Sequence, residues 1–217
     1  VSIKTVDTAY RAATGSTSGT FKNRQNADIV LSAFGFNETG GGLSFNRNSG
    51  IATDGVRLVL ADTFNNRVLL WNSLPSTNTA PDLVLGQANF NTNNPGNSPS
   101  QMNWPISVSL AENKLVVTDT YNDRILIWNT FPTKNAQPAD IIINDSGTPG
   151  QPSKRTVKWP WGIWTNGTKL AITNTMGGSA LIWNSFPTSN NQSADILLTG
   201  NGNFGTPRQI TSNGQSL

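Results

Sequence analysis

Short stretches of alternating apolar and polar residues, broken by Gly, Asn, Asp and Pro, run through most of this 217-residue chain. One unit shows the pattern clearly. NWPISVSLAEN predicts a first strand, KLVVTDT a second, DRILIWN a third and QPADIIIN an outer fourth, with turn residues at each break. Four such strands in succession make one antiparallel sheet. The clusters Leu58 to Leu60, Leu115 to Val117 and Leu170 to Ile172 alternate faces, so each sheet is apolar on both sides and successive sheets are expected to pack face to face.

The pattern is periodic. A unit of roughly 55 residues returns four times, and three copies share a core: ADTFNNRVLLWNSLP at 61, TDTYNDRILIWNTFP at 118 and TNTMGGSALIWNSFP at 173. Each copy is accompanied by an outer-strand segment carrying Asp28, Asp82, Asp140 or Asp195, spaced 54, 58 and 55 residues apart. A period of this size means a propeller or a solenoid. Aligning Asp28 on Asp140 places Asp7 and Thr8 on Asp119 and Thr120, so the N-terminus holds a worn copy without its tryptophan. Trp71, Trp128 and Trp183 end the third strand of their units, where a repeated large ring fills the seam between neighbouring sheets.

The cores D-T-x-N-x-R-[VI]-L-[LI]-W-N, with Asp62, Thr63, Asn65, Arg67 and again Asp119, Thr120, Asn122, Arg124, resemble NHL repeats. The segment APDLVLGQANF resembles the bacterial secreted members of that family. The resemblance covers nearly the whole chain and implies an all-β fold, a β-propeller of four-stranded antiparallel blades, as one domain over 1–217. Blade cores are expected near 4–31, 51–86, 106–143 and 161–199, with a C-terminal inner strand at 207–217 completing the N-terminal blade. NHL rings are commonly six-bladed, and this chain holds about four repeats. A closed four-bladed ring, part of a larger propeller and an open unit completed by another chain all fit that count. Open forms leave strand edges to be covered, which makes self-assembly part of the expectation.

Asp62 and Asp119 close a second strand while Arg67 and Arg124 open the third, five residues later across a tight turn. A carboxylate there can accept turn amides and pair with the guanidinium, a structural staple. The last copy replaces both partners together, with Asn174 and Ser179.

Composition narrows the chemistry. Cysteine and histidine are absent, which excludes disulfides and any Cys/His metal site. The NHL family includes lyases and hydrolases as well as RNA- and protein-binding members. The metal-dependent lyase chemistry relies on histidine ligands and cannot be carried to any position here. A carboxylate- or calcium-dependent enzyme at the central funnel is the weaker alternative, since Asp7, Asp62 and Asp119 belong to the repeat; no cofactor or metal is expected. No phosphate-cradling glycine loop opens a helix. Charged residues make up only 12% of the chain, and Asn, Thr, Ser and Gly abound, as suits a secreted or cell-surface protein. No apolar run approaches a membrane span, and the start at Val1 suggests a processed chain or a fragment. Sequons at Asn37, Asn144, Asn166 and Asn191 permit N-glycosylation.

Long Gly/Asn/Pro-rich loops join each outer strand to the next inner strand, on the face that also carries the turns between second and third strands. Such loops are where binding usually resides. Trp104, Trp159 and Trp161 lie at or just after their ends, with Phe45 in a related position and Lys154 and Arg155 within one loop. Rings beside Asn, Gln and Ser suit a protein or carbohydrate ligand; the bland alternative is that they cap the core. The net charge of +3 and the scattered basic residues argue against nucleic acid, because phosphate tracking needs a denser positive stripe. The sequence therefore predicts a non-enzymatic extracellular binding module, or else a structural subunit of a surface assembly or filament.

Overall fold

Each of the three clear repeats forms one antiparallel sheet, its four strands hydrogen-bonded in chain order. The first blade contains β1 (Asn48–Thr53), β2 (Leu58–Asp62), β3 (Arg67–Trp71) and β4 (Leu83–Leu85). The second contains β5 (Pro105–Ala111), β6 (Lys114–Asp119), β7 (Arg124–Trp128) and β8 (Ile141–Asn144). The third contains β9 (Pro160–Thr165), β10 (Leu170–Asn174), β11 (Ser179–Trp183) and β12 (Ile196–Thr199). This computed structural model describes residues 24, 26–31, 45–148 and 151–199. Among the described residues there are three sheets, and they do not close into a ring. The worn copy around Asp7 and Thr8, the strand expected at 207–217 and the sequon at Asn37 lie outside the described residues.

Strand alternation divides each blade between two seams. In β6, Leu115 and Val117 join a buried cluster with Val59, Val68, Leu70 and Leu85 of the first blade. Val116, between them, faces the other way and joins Leu170, Ile172 and Leu181 of the third. Trp128 lies in the first seam and Trp183 in the second. Trp71 packs with Leu58, Leu60 and Leu69 on the leading face of the first blade, against which Leu31, Phe45 and Phe90 also rest. The three indoles are buried yet satisfied: their N–H groups donate to the carbonyls of Thr79 (2.8 Å), Gln137 (3.1 Å) and Gln192 (3.0 Å). The repeated aspartates Asp82, Asp140 and Asp195 accept the backbone N–H of Asn72, Asn129 and Asn184, which fixes the turn after each tryptophan.

Outer edges are clamped by the following blade. Val84 in β4 donates its N–H to the Asn135 side chain (3.0 Å), and its carbonyl accepts from Ala136 N–H (2.9 Å). In β8, Ile142 makes the same two bonds with Asn190 (2.8 Å) and Asn191 (3.0 Å), and Asn144 N–H adds a third to Asn191 Oδ1. Unpaired edge groups invite association, and this device removes them at two of the three blades.

Gly86, just past β4, has φ +86°, and a Cβ there would stand 2.6 Å from the Asn66 carbonyl oxygen. That approach lets the buried Gln87 side chain donate to the Asn66 carbonyl (3.0 Å) and to that of Asn94 (2.9 Å). Gly86→Ala is expected to destabilise the chain by more than about 1 kcal/mol, read as a lowered urea midpoint, because both strain and collision oppose it.

Candidate functional site

The motif D-T-x-N-[ND]-R builds one end of the blades. Asp62 accepts Asn46 N–H on one carboxylate oxygen (2.7 Å); the other takes the Asn65 amide (2.9 Å) and Arg67 Nε (2.8 Å). Asp119 does the same with Asn103 N–H (2.7 Å), Asn122 (2.8 Å) and Arg124 (2.7 Å). Both ion pairs are buried. The sequence suggested amides of the turn itself; the backbone amide comes from the loop segment entering the blade. The turn supplies a side-chain amide instead. Arg67 reaches on to the Phe90 carbonyl, and Arg124 to the carbonyls of Asn97, Ser98 and Gln101, so each guanidinium ties a loop down. Burial acts most strongly on Asp119 and pushes its carboxyl above the usual aspartate range, against the pull of Arg124 and of the Asn103 and Asn122 donors. In the third blade, Asn174 donates to Ser179 Oγ (3.1 Å) and to the Thr156 carbonyl, and accepts Lys158 N–H: a neutral version of the same knot.

Two other motif positions bridge to the next blade. Thr63 donates to the Pro105 carbonyl (2.8 Å), and Thr120 to that of Pro160 (2.6 Å). Asn66 and Asp123 end their turns in the left-handed conformation. Their side chains accept the backbone N–H of Trp104 (3.0 Å) and Trp159 (2.7 Å).

Those two tryptophans are themselves left-handed, with φ of +51° and +50°, and Arg47 at the same place in the first blade has φ +53°. The left-handed region costs a bulky L-residue about 1–2 kcal/mol. It persists here because both sides of the residue are held: each Trp N–H is bound as above, and the Trp104 and Trp159 carbonyls accept Thr120 N–H (3.3 Å) and Thr175 N–H (3.2 Å). The result is a row of planar groups. The Arg47 guanidinium lies 4.7 Å from the Phe64 ring, Phe64 stacks on Trp104 at 4.7 Å, Trp104 meets Tyr121 at 5.3 Å, and Tyr121 meets Trp159 at 5.5 Å. Tyr121 is 53% exposed, and Met176, at the matching turn position of the third blade, is 65% exposed. Lys158 pairs with Asp123 beside Trp159, and that hydrogen bond raises the lysine above its ordinary value.

The sequence candidates divide. Trp104 and Trp159 belong to the row. Trp161, the second residue of β9, is 50% exposed and lies outside the row's ring contacts. Phe45 packs against the buried cluster on the first blade's leading face, and the residue matching the tryptophans there is Arg47, two positions on. Lys154 and Arg155 are exposed and lie beside the segment just before outer strand β12: the Lys154 carbonyl accepts Ala194 N–H (2.9 Å), and Arg155 donates to Ser193 (3.0 Å). Sequence reasoning missed Arg47, Phe64, Tyr121, Asn66 and Asp123. Superposing Asn46-Arg47-Asn48 on Asn103-Trp104-Pro105 and Lys158-Trp159-Pro160 would have exposed the first of these. Among the described residues, no group of three or more acidic side chains could hold a metal ion, and no helix is long and apolar enough to cross a membrane.

Over the described residues the chain is an all-β repeat protein, with three four-stranded antiparallel sheets. No family model matches it, and no curated protein matches it. Solved structures similar to it include the computationally designed Ika8 protein, at 11% identity and TM-score 0.43, covering 76% of this chain and 41% of that one. The WD40 β-propeller domain of Doa1 matches at 9% identity and TM-score 0.44, covering 75% and 43%. A streptogramin B lyase matches at 11% identity and TM-score 0.27, covering 78% and 81%. The chain thus spans less than half the length of the first two.

Proposed function

We propose that this chain is a non-enzymatic, extracellular NHL-type β-propeller that binds a protein or glycan through the face carrying Trp104, Tyr121 and Trp159. One observation carries the proposal: three successive blades hold a bulky residue in a left-handed conformation at the same place, and at Trp104 and Trp159 both the N–H and the carbonyl are held by hydrogen bonds. Strain kept in register is a feature of binding faces, where side chains must be presented rather than buried. The carboxylates of this face support binding over catalysis. Asp62 and Asp119 are committed to buried guanidinium pairs, and Asp123 to Lys158 and Trp159. The low charge and the Asn/Thr/Ser-rich exterior support an extracellular setting. The four sequence repeats support a propeller completed either within the chain or as part of a larger ring.

Screening the immobilised chain against panels of glycans and extracellular proteins tests this reading. Trp104→Gly with Trp159→Gly removes both rings while glycine accepts the left-handed backbone without strain. Capture by this variant is expected to fall at least tenfold, with the circular-dichroism spectrum unchanged. Capture that survives the double change refutes the binding face; loss of fold alone would make the rings core caps.

A further inference from the structure

The planar row on the loop face offers a ligand one kind of polar group. The seam indoles of Trp71, Trp128 and Trp183 each donate to a main-chain carbonyl. Trp104 and Trp159 differ: among the described residues neither indole N–H has a partner, and neither does the Tyr121 hydroxyl. No described side-chain nitrogen or oxygen is buried without a bond, so both N–H groups open to solvent. The carbonyls of the same two tryptophans are already taken by Thr120 and Thr175. An indole N–H donates and never accepts, so the row requires acceptors of its ligand.

Ring geometry narrows the ligand further. The planes of Trp104 and Tyr121 are inclined at 60°, those of Tyr121 and Trp159 at 59°, and Phe64 covers a face of Trp104. Rings tilted in this way share no plane and give successive sugar rings no common platform; sugar hydroxyls would also bring donors of their own. An ordinary extended peptide brings an amide N–H at every residue, and these would lose water without finding an acceptor. A run of prolines brings carbonyls alone.

We infer that the ligand of this row is a proline-rich peptide in the polyproline II conformation, with an acidic residue at the end that meets Arg47. The inference rests on the loop-face reading and gives that face its ligand class. Polyproline II rises about 3.1 Å per residue with three residues to the turn, so like positions recur roughly every 9 Å. Trp104 and Trp159 lie 5.3 and 5.5 Å from Tyr121, which puts the indoles no more than about 11 Å apart, close to one turn of such a peptide. Carbonyls one turn apart can then meet the two N–H groups, with prolyl rings against Tyr121 between them. The helix is preformed and loses little freedom on binding, and aromatic rows are a recurrent way of holding it. Arg47 occupies the tryptophan slot of the first blade; its exposed guanidinium lies over Phe64 and makes no ion pair among the described residues. Lys158, at the other end, is paired with Asp123. The unpaired cation at one end gives the bound peptide a direction.

Fluorescence anisotropy tests this with labelled peptides of about eight prolines, a length of nearly three turns, carrying aspartate at the N-terminus, at the C-terminus or not at all. Saturable binding to the full chain is expected, tightest for one of the two aspartate peptides. Trp104→Phe with Trp159→Phe keeps both rings and removes both N–H groups; it is expected to weaken binding at least tenfold with the melting temperature unchanged. Tyr121→Ser, at an exposed position, is expected to weaken binding as much and serves as the second variant should the phenylalanine pair unfold. Arg47→Gln should abolish the preference between the aspartate peptides. Proline peptides that fail to bind, while a glycan or folded protein is captured through Trp104 and Trp159, would overturn this inference and leave the loop-face reading standing. No capture of any kind through these rings would remove both. Proline-peptide binding that neither the phenylalanine pair nor Tyr121→Ser weakens would also overturn the inference.

Discussion

Asp119→Ala is expected to cost about 3–5 kcal/mol of folding stability, since it leaves the buried Arg124 guanidinium without its counter-charge. The loss should exceed that of any exposed ion pair in the chain, because neither partner is free to regain water. The third blade shows how the knot can be built without charge. Asp119→Asn combined with Arg124→Ser copies Asn174 and Ser179, whose side chains bond each other and the incoming loop. This double variant is expected to recover more than half of the single-variant loss in urea unfolding. Recovery of nothing would mean that the stability resides in the Arg124 bonds to the Asn97, Ser98 and Gln101 carbonyls rather than in the pair.

Trp128→Ala is the second large effect. The ring is fully buried in the seam between first and second blades, and its N–H is bonded to Gln137. Truncation opens a cavity lined by side chains of two blades and should cost about 3–5 kcal/mol. That corresponds to a fall in melting temperature on the order of 10 °C for a chain of this size. Trp161→Ala removes a ring of the same size at a half-exposed position and should change stability by no more than about 0.5 kcal/mol. The contrast separates seam tryptophans from surface ones. Equal effects at both positions, measured by calorimetry, would contradict the seam assignment.

What the sequence revealed and what it hid follow from distance along the chain. Each strand is a short run whose alternation can be read directly, and the Asp62–Arg67 and Asp119–Arg124 contacts join residues five apart within a repeated motif, so alternation and spacing were enough to predict them. The seam tryptophans could be inferred because one residue type recurs at one place. The planar row obeys neither condition. Its members come from turns of one blade and loop ends of the next, as with Phe64 and Trp104, and their identities change from Arg to Trp and from Phe to Tyr to Met. Their position depends on a left-handed backbone that is rare for large side chains, so no propensity points to it. Phe45 shows the consequence: an aromatic near the right place turned into the core, while Arg47 two residues later took the slot. The edge clamps were hidden because Asn135 and Asn190 read as ordinary turn residues until the neighbouring strand is seen beside them.

The most direct test of the binding face is fluorine NMR of the chain labelled with 5-fluorotryptophan, whose seven tryptophans each give one signal. Single substitutions assign the signals, and a ligand captured in the panel screen is then titrated in. Shifts confined to Trp104 and Trp159, with the seam signals of Trp71, Trp128 and Trp183 unmoved, are the predicted result. A ligand that moves the seam signals, or leaves Trp104 and Trp159 unchanged, would contradict the account.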